Sequence, residues 1–95
     1  MERDAYQKWP HIVGANIRKA RSDQRLTLND LSRLSGVEAA SLSKIENGKR
    51  DPKLSTLVEI AKALRTDLPI LFQSQRDGLA KEIKLSQDGY DLDGE

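Results

Sequence analysis

The chain has 95 residues and no cysteine, one histidine, three prolines and one tryptophan. Without cysteine there is no disulfide and no thiolate metal site, which fits a reducing compartment. His11 has no carboxylate at ligand spacing, so no metal centre is expected. One histidine and scattered carboxylates also supply no set of nucleophile, base and orienting group, so the reading is of a non-enzyme without catalytic residues or cofactor. No apolar run approaches the ~20 residues that span a bilayer. Met1-Glu2-Arg3-Asp4 is a poor opening for a signal peptide. The expectation is a soluble, cytoplasmic protein with no membrane partner.

What is present is charge, at 33% of residues. The net charge is only +1, but it is unevenly spread. From Ser74 onward three bases face six acids, a net of −3, which leaves +4 on the rest. A mildly basic body followed by an acidic tail is compatible with a polyanionic partner, although many ordinary domains carry as much charge. A chain of this size makes one domain, which buries a limited share of its surface and would gain stability from dimerisation.

Pro10 suits the first turn of a helix, so the first helix is expected to begin between Pro10 and Val13 and to run to about Gln24. Its buried stripe would be Val13, Ile17 and Ala20. Trp9 reads as an aromatic lid on the core, the alternative being a contact to a ligand or partner. Residues 1–11 are then an N-terminal extension.

Leu26 to Asn47 organises everything else. Thr27 stands where an N-cap belongs, with Asp30 three residues later, so a helix starts near Leu28. Leu28, Leu31 and Leu34 recur on one face, opposite Asn29, Asp30 and Arg33. Gly36 ends that helix because the turn needs positive φ, and Val37 is expected as a buried pivot. A second helix follows, burying Leu42 and Ile45 and leaving Ala39, Ala40, Ser43, Lys44 and Asn47 outward. Two helices joined by a short glycine turn make a helix-turn-helix.

After Pro52, the residues Leu54, Leu57, Ile60, Ala61 and Leu64 form the apolar stripe of a core helix. Asp67 to Phe72 reads as a short fifth helix. In the tail, residues 74–95, Ile83 and Leu85 alternate with Lys84, and Tyr90 and Leu92 alternate with Asp91, across Ser86-Gln87-Asp88-Gly89, which signals a short hairpin. A helical turn and a disordered acidic end are the other readings.

The chain resembles the phage repressor and Cro type of helix-turn-helix regulators, the xenobiotic-response-element family. The resemblance rests on Leu26-Thr27, Asp30-Leu31, Gly36-Val37, the run Ser41-Leu42-Ser43-Lys44-Ile45-Glu46-Asn47-Gly48, then Pro52 and Leu57 through Ile60-Ala61 to Leu64, and it spans roughly residues 13–72. It implies an all-α, five-helix, lambda-repressor-like DNA-binding domain over residues 12–73, with double-stranded DNA as the partner. It implies that Ala39, Ala40, Ser43 and Lys44 read bases, and that Thr27, Asn47, Lys49, Arg50 and Lys53 hold the backbone. It also implies an ion pair between Arg21 and Glu46.

For Ile70, Leu71 and Phe72 the resemblance implies a homodimer contact; closure of the monomer core is the other reading. After Thr27 the family usually has Gln and this chain has Leu28, which removes one contact. Leucine occurs there in members joined to a small-ligand barrel. After Leu64 the family usually has Gly, and this chain has Arg65 and Thr66. The implied function is a sequence-specific transcriptional regulator that binds an inverted repeat as a homodimer. The alternatives are an antitoxin or anti-regulator with a protein partner on the tail, or the DNA-binding part of a larger ligand-responsive regulator.

Overall fold

The computed structural model describes residues 2–74, with side chains from residue 8 onward. The hairpin and protein-partner readings of the tail therefore fall outside the described residues, apart from Ser74. Four α-helices follow in order: α1 (Glu2–Asp23), α2 (Leu28–Ser35), α3 (Ala39–Glu46) and α4 (Leu54–Ala63). A 3₁₀ helix, Leu68–Phe72, closes the described chain. No strand occurs among the described residues.

One core gathers a stripe from every element. Val13 and Ile17 of α1 meet Leu31 of α2, Leu42 and Ile45 of α3, Leu57, Ile60 and Ala61 of α4, then Leu64 and Leu71. Full burial of a side chain such as Ile17 or Leu42 contributes about 1.5–3 kcal/mol before entropy is counted, so these positions carry the hydrophobic stabilisation.

Several expectations need correction. Helix α1 does not start at Pro10; it begins at Glu2 and runs through the proline. Proline fixes φ at a helical value, so the cost is one missing N–H donor and a local crowding rather than an obligatory stop. The fifth helix is a five-residue 3₁₀ turn and not an α-helix, with Pro69 in its first turn. Its period of three puts Leu68 and Leu71 on one side, which buries Leu71 and packs Leu68 against the core while Ile70 stays exposed.

Leu34 is 60% exposed and Leu54 is 64% exposed. A three-residue step retreats about 60° per repeat on an α-helix, so Leu31 centres the buried face of α2 and Leu34 rotates out. Leu54 is the first residue of α4, and because Cα–Cβ bonds tilt toward a helix's N-terminus, a side chain there projects toward the helix end instead of over the following turns that pack on the core. Val37 is only partly buried, packed on the core's edge.

Trp9 is 48% exposed, so it overhangs the core rather than sealing it. Its ring lies 6.4 Å from that of Phe72 at 59°, an arrangement suited to aromatic pairs. The two rings border a shallow groove of about 200 Å³ with Pro10, Val13, Asp51, Pro52 and Leu57.

Helix ends are closed by three related devices. After α3, Gly48 at φ 73° lets its own N–H reach the Ile45 carbonyl at 3.1 Å, and the Lys49 N–H reach that of Lys44 at 2.9 Å. The ends of α1 and α4 repeat this pattern with Arg25 at φ 59° and Arg65 at φ 57° in the left-handed position. Arg65 thus takes the conformation for which glycine is the usual residue.

Candidate nucleic-acid interface

Helix α2 is anchored by a reciprocal cap. The Asp30 N–H donates to Thr27 Oγ1 at 3.0 Å, and the Thr27 N–H donates to Asp30 Oδ2 at 2.9 Å. The Thr27 N–H on this carboxylate, followed by the Thr27 side chain, holds the Asp30 carboxyl below its ordinary value, and the Arg33 guanidinium, donating to Oδ1 at 2.6 Å, acts in the same direction.

The turn into α3 is made by Gly36 at φ 80°. Buried Ser35 steadies it, its Oγ accepting from the Val37 N–H at 3.1 Å. Glu38 then stands at the N-cap of α3 without a side-chain cap bond. It lies where the helix dipole favours a negative charge.

The inner side of α3 is clamped to α1. Arg21 Nε donates to Glu46 Oε2 at 2.6 Å, and its Nη2 donates to Oε1 at 3.0 Å. The remaining Nη1 donates to the Leu26 carbonyl at 2.7 Å. Arg18 approaches from the rim, with Nε 3.6 Å from Glu46 Oε1. The Glu46 side chain is only 2% exposed, so the fork-to-fork geometry matters: a buried carboxylate needs its charge and its lone pairs met together. The bonds to Glu46 raise the pKa of Arg21 above its ordinary value, against the opposing effect of burial.

Close approach of the two helices depends on a glycine. A Cβ on buried Gly14 of α1 would strike the Ile45 carbonyl oxygen and lie 2.7 Å from that of Glu46. His11, one turn earlier, rests against Gly48; a Cβ there would strike its Nδ1.

The outer side of α3 carries small and cationic groups. Ala40, Lys44 and Asn47 are exposed, with Ala39 and Ser43 half-buried. Asn47 spends one amide hydrogen on the Ser43 carbonyl at 2.8 Å and keeps a second. Arg50, in the loop beyond, reaches back so that its Nη1 donates to Ser41 Oγ at 2.8 Å. Lys49 and Lys53 are exposed in the same loop.

Ion pairing divides the surface cations. Lys19 pairs with Asp23, Arg33 with Asp30, Lys62 with Glu59, and Arg18 and Arg21 with Glu46. Among the described residues, Lys8, Arg25, Arg65, Lys44, Lys49, Arg50 and Lys53 have no carboxylate partner; the last four fall at the end of α3 and in the loop behind it, where Asp51 also stands exposed. Positive charge without a carboxylate partner therefore gathers along the end of α3 and the loop behind it, whereas elsewhere Arg18, Lys19, Arg21, Arg33 and Lys62 are paired and Lys8, Arg25 and Arg65 stand apart from one another in the sequence.

Sequence reasoning missed four residues that hold this arrangement. Asn16 Nδ2 donates to the Leu71 and Gln73 carbonyls at 2.7 and 2.6 Å, tying α1 to the 3₁₀ helix. Gln24 Nε2 caps the end of α4 through the Leu64 carbonyl at 2.7 Å. Arg18 and Gly14 complete the set. Each acts across 28 to 57 positions of chain or through a helix crossing, so periodicity carries no trace of them.

Residues 17–71 match the family described as helix-turn-helix. The chain is similar to the transcriptional repressor RghR of Bacillus subtilis (strain 168), with 37% identity over 79 residues covering 82% of this chain. It spans only 57% of the length of that relative. It is 35% identical over 71 residues to the control protein C.SmaI of Serratia marcescens, covering 75% of this chain and 82% of that one. Among solved structures, it resembles the restriction-modification controller protein C.AhdI from Aeromonas hydrophila, with a TM-score of 0.65 and 27% identity over 66% of this chain and 96% of that one. Capped α2, the Gly36 turn, α3 and the breadth of these matches lead to one conclusion: the chain belongs to the Cro/C1-type helix-turn-helix family of transcriptional regulators.

Proposed function

We propose that this chain is a sequence-specific regulator of transcription that binds double-stranded DNA as a homodimer on an inverted repeat, with Glu38 to Asn47 in the major groove. One observation carries the reading: of the seven described cations without a carboxylate partner, four, Lys44, Lys49, Arg50 and Lys53, lie together on or just behind the outward side of α3. A surface destined for phosphates gains from charges that no neighbouring carboxylate has neutralised, because each phosphate contact releases condensed counterions.

In this reading Lys44 donates to guanine O6 and N7. Ser43 serves several bases, and the methyl groups of Ala39 and Ala40 meet thymine methyls. Phosphates are held by Thr27 at the entry to α2, by the second amide hydrogen of Asn47, and by Lys49, Arg50 and Lys53. Such contacts fix register without reading sequence. The clamp of Glu46 to α1 sets the angle at which α3 is presented.

A single module buries only ~600–1,000 Å² on DNA, so two copies on half-sites about one helical turn apart are the route to useful specificity. Exposed Ile70, beside the partly buried Phe72, is the apolar surface offered for the pairing; Leu71 is spent on the monomer core.

The test is selection from a random duplex library with the purified chain, then titration of the winner with measurement of stoichiometry. Enrichment of an inverted repeat bound by two copies is the expected result. Failure to enrich any sequence, with only weak salt-sensitive binding, would overturn it.

A further inference from the structure

We propose that Ser41 is a positioning residue for the DNA backbone contact, acting through Arg50. This rests on the DNA-binding reading above and adds to it a residue on the flank of α3 that touches no base in that reading.

The starting point is the bond from Arg50 Nη1 to Ser41 Oγ at 2.8 Å, which spans nine positions and bridges the loop to the reading helix. Arg50 is exposed and has no carboxylate partner among the described residues. A long, solvated arginine normally samples many rotamers, and that freedom is lost when it binds. Bonding to Ser41 removes much of it beforehand. One corner of the guanidinium is held on the helix, and its other N–H groups stay available to a phosphate.

The backbone around it is also set in advance. Gly48 in the left-handed region and the Lys49 N–H on the Lys44 carbonyl turn the chain back over α3, which brings Arg50 within reach of Ser41. Lys49 and Lys53, by contrast, have no side-chain partner among the described residues, so nothing presets where their charges lie. Arg50 is the one loop cation whose direction the fold specifies. Ser41 lies one residue from Ala40 and two from Ser43, so the same bond registers the phosphate grip against the base-reading side chains.

The experiment measures binding of the full chain and its variants by anisotropy at several salt concentrations. The probes are the duplex enriched from the random library by the unmodified chain and a shuffled duplex of the same composition. Arg50→Ala is expected to weaken both duplexes alike and to flatten the salt slope by about one. Ser41→Ala is expected to weaken binding about threefold, the order produced by freeing one rotamer-rich side chain, with the melting temperature unchanged. In an Arg50→Ala background the Ser41→Ala change should cost nothing further, and Ser41→Thr should restore binding.

Arg50→Lys leaves α3 untouched and keeps the charge but not the fork, and should also weaken binding about threefold without altering the slope. Wild-type affinity for Ser41→Ala or for Arg50→Lys overturns the proposal. So does a Ser41→Ala loss that persists undiminished without Arg50, since Ser41 would then act by itself. If the unmodified chain binds no duplex, the DNA-binding reading fails and this proposal falls with it, an outcome recognisable before any variant is made.

Discussion

Arg21 and Glu46, 25 positions apart, form a two-pronged ion pair with a short bond of 2.6 Å from Nε, joining the last turn of α1 to the last turn of α3. Replacing the pair together by apolar groups need not destabilise, but removing one partner leaves the other buried and uncompensated. Arg21→Ala is expected to cost about 3 kcal/mol or more in urea unfolding, because Arg18 at the rim is too distant to replace two direct bonds. A loss below about 1 kcal/mol would mean the carboxylate is better solvated than its burial indicates.

Gly14→Ala makes an opposite case to ordinary helix propensity. Alanine is favoured over glycine in a helix interior by about 1 kcal/mol, yet here the added methyl meets the carbonyl oxygens of Ile45 and Glu46. Backbone atoms cannot step aside as a side chain can, so α3 must shift from α1. The expected net result is destabilisation of about 1–3 kcal/mol by chemical denaturation, with weaker DNA binding from a displaced α3. A variant more stable than the parent would sink the close-crossing argument.

The left-handed positions give a matched pair. Arg65→Gly removes a steric penalty at φ 57° and should stabilise the chain by up to about 1 kcal/mol. Gly36→Ala introduces that penalty at φ 80°, where an added Cβ meets nothing within 4 Å, so its cost isolates backbone conformation at about 1 kcal/mol. Melting temperatures moving in opposite directions are expected; two shifts of the same sign contradict the account.

Acid sensitivity should trace in part to the cap of α2. Thr27 holds the folded-state pKa of Asp30 below its unfolded value. Its contribution is therefore fully present above the unfolded pKa and is lost as the pH falls from about 4 through the lower folded value. Asp30→Asn should flatten the stability profile in that acid window while leaving its shape near neutrality unchanged. Equal acid slopes for parent and variant would assign the acid loss to other carboxylates.

Base reading and phosphate holding separate by their dependence on sequence and salt. Lys44→Ala should cost about 1–3 kcal/mol and relax preference at one base position, whereas Lys49→Ala should weaken every sequence alike and reduce the salt slope by about one. Uniform loss for Lys44→Ala across all duplexes would remove it from the base-reading set.

Local chemistry made much of the helix-turn-helix legible. The start of α2 was readable from Thr27 and Asp30, which are three residues apart and satisfy each other's backbone and side chain. Its end was readable from Gly36, and the burial of Leu42, Ile45, Leu57 and Ile60 followed from helical spacing. The same logic misjudged Leu34, since a step of three drifts off the buried face, and Pro10, since proline is tolerated inside α1. Periodicity assigns a side chain to a face but does not say how far the neighbouring helix extends over it.

By itself the sequence determined the order of helices, the caps of α2 and the small, polar outward side of α3, because each depends on residues within a turn of one another. Only the tertiary structure decided which cations are neutralised and which are left along α3, why position 14 must lack a side chain, and that Arg50 is held by Ser41. Those properties arise where separate helices and loops meet. The distance between two side chains there is set by the packing of the whole core, and no local pattern encodes it.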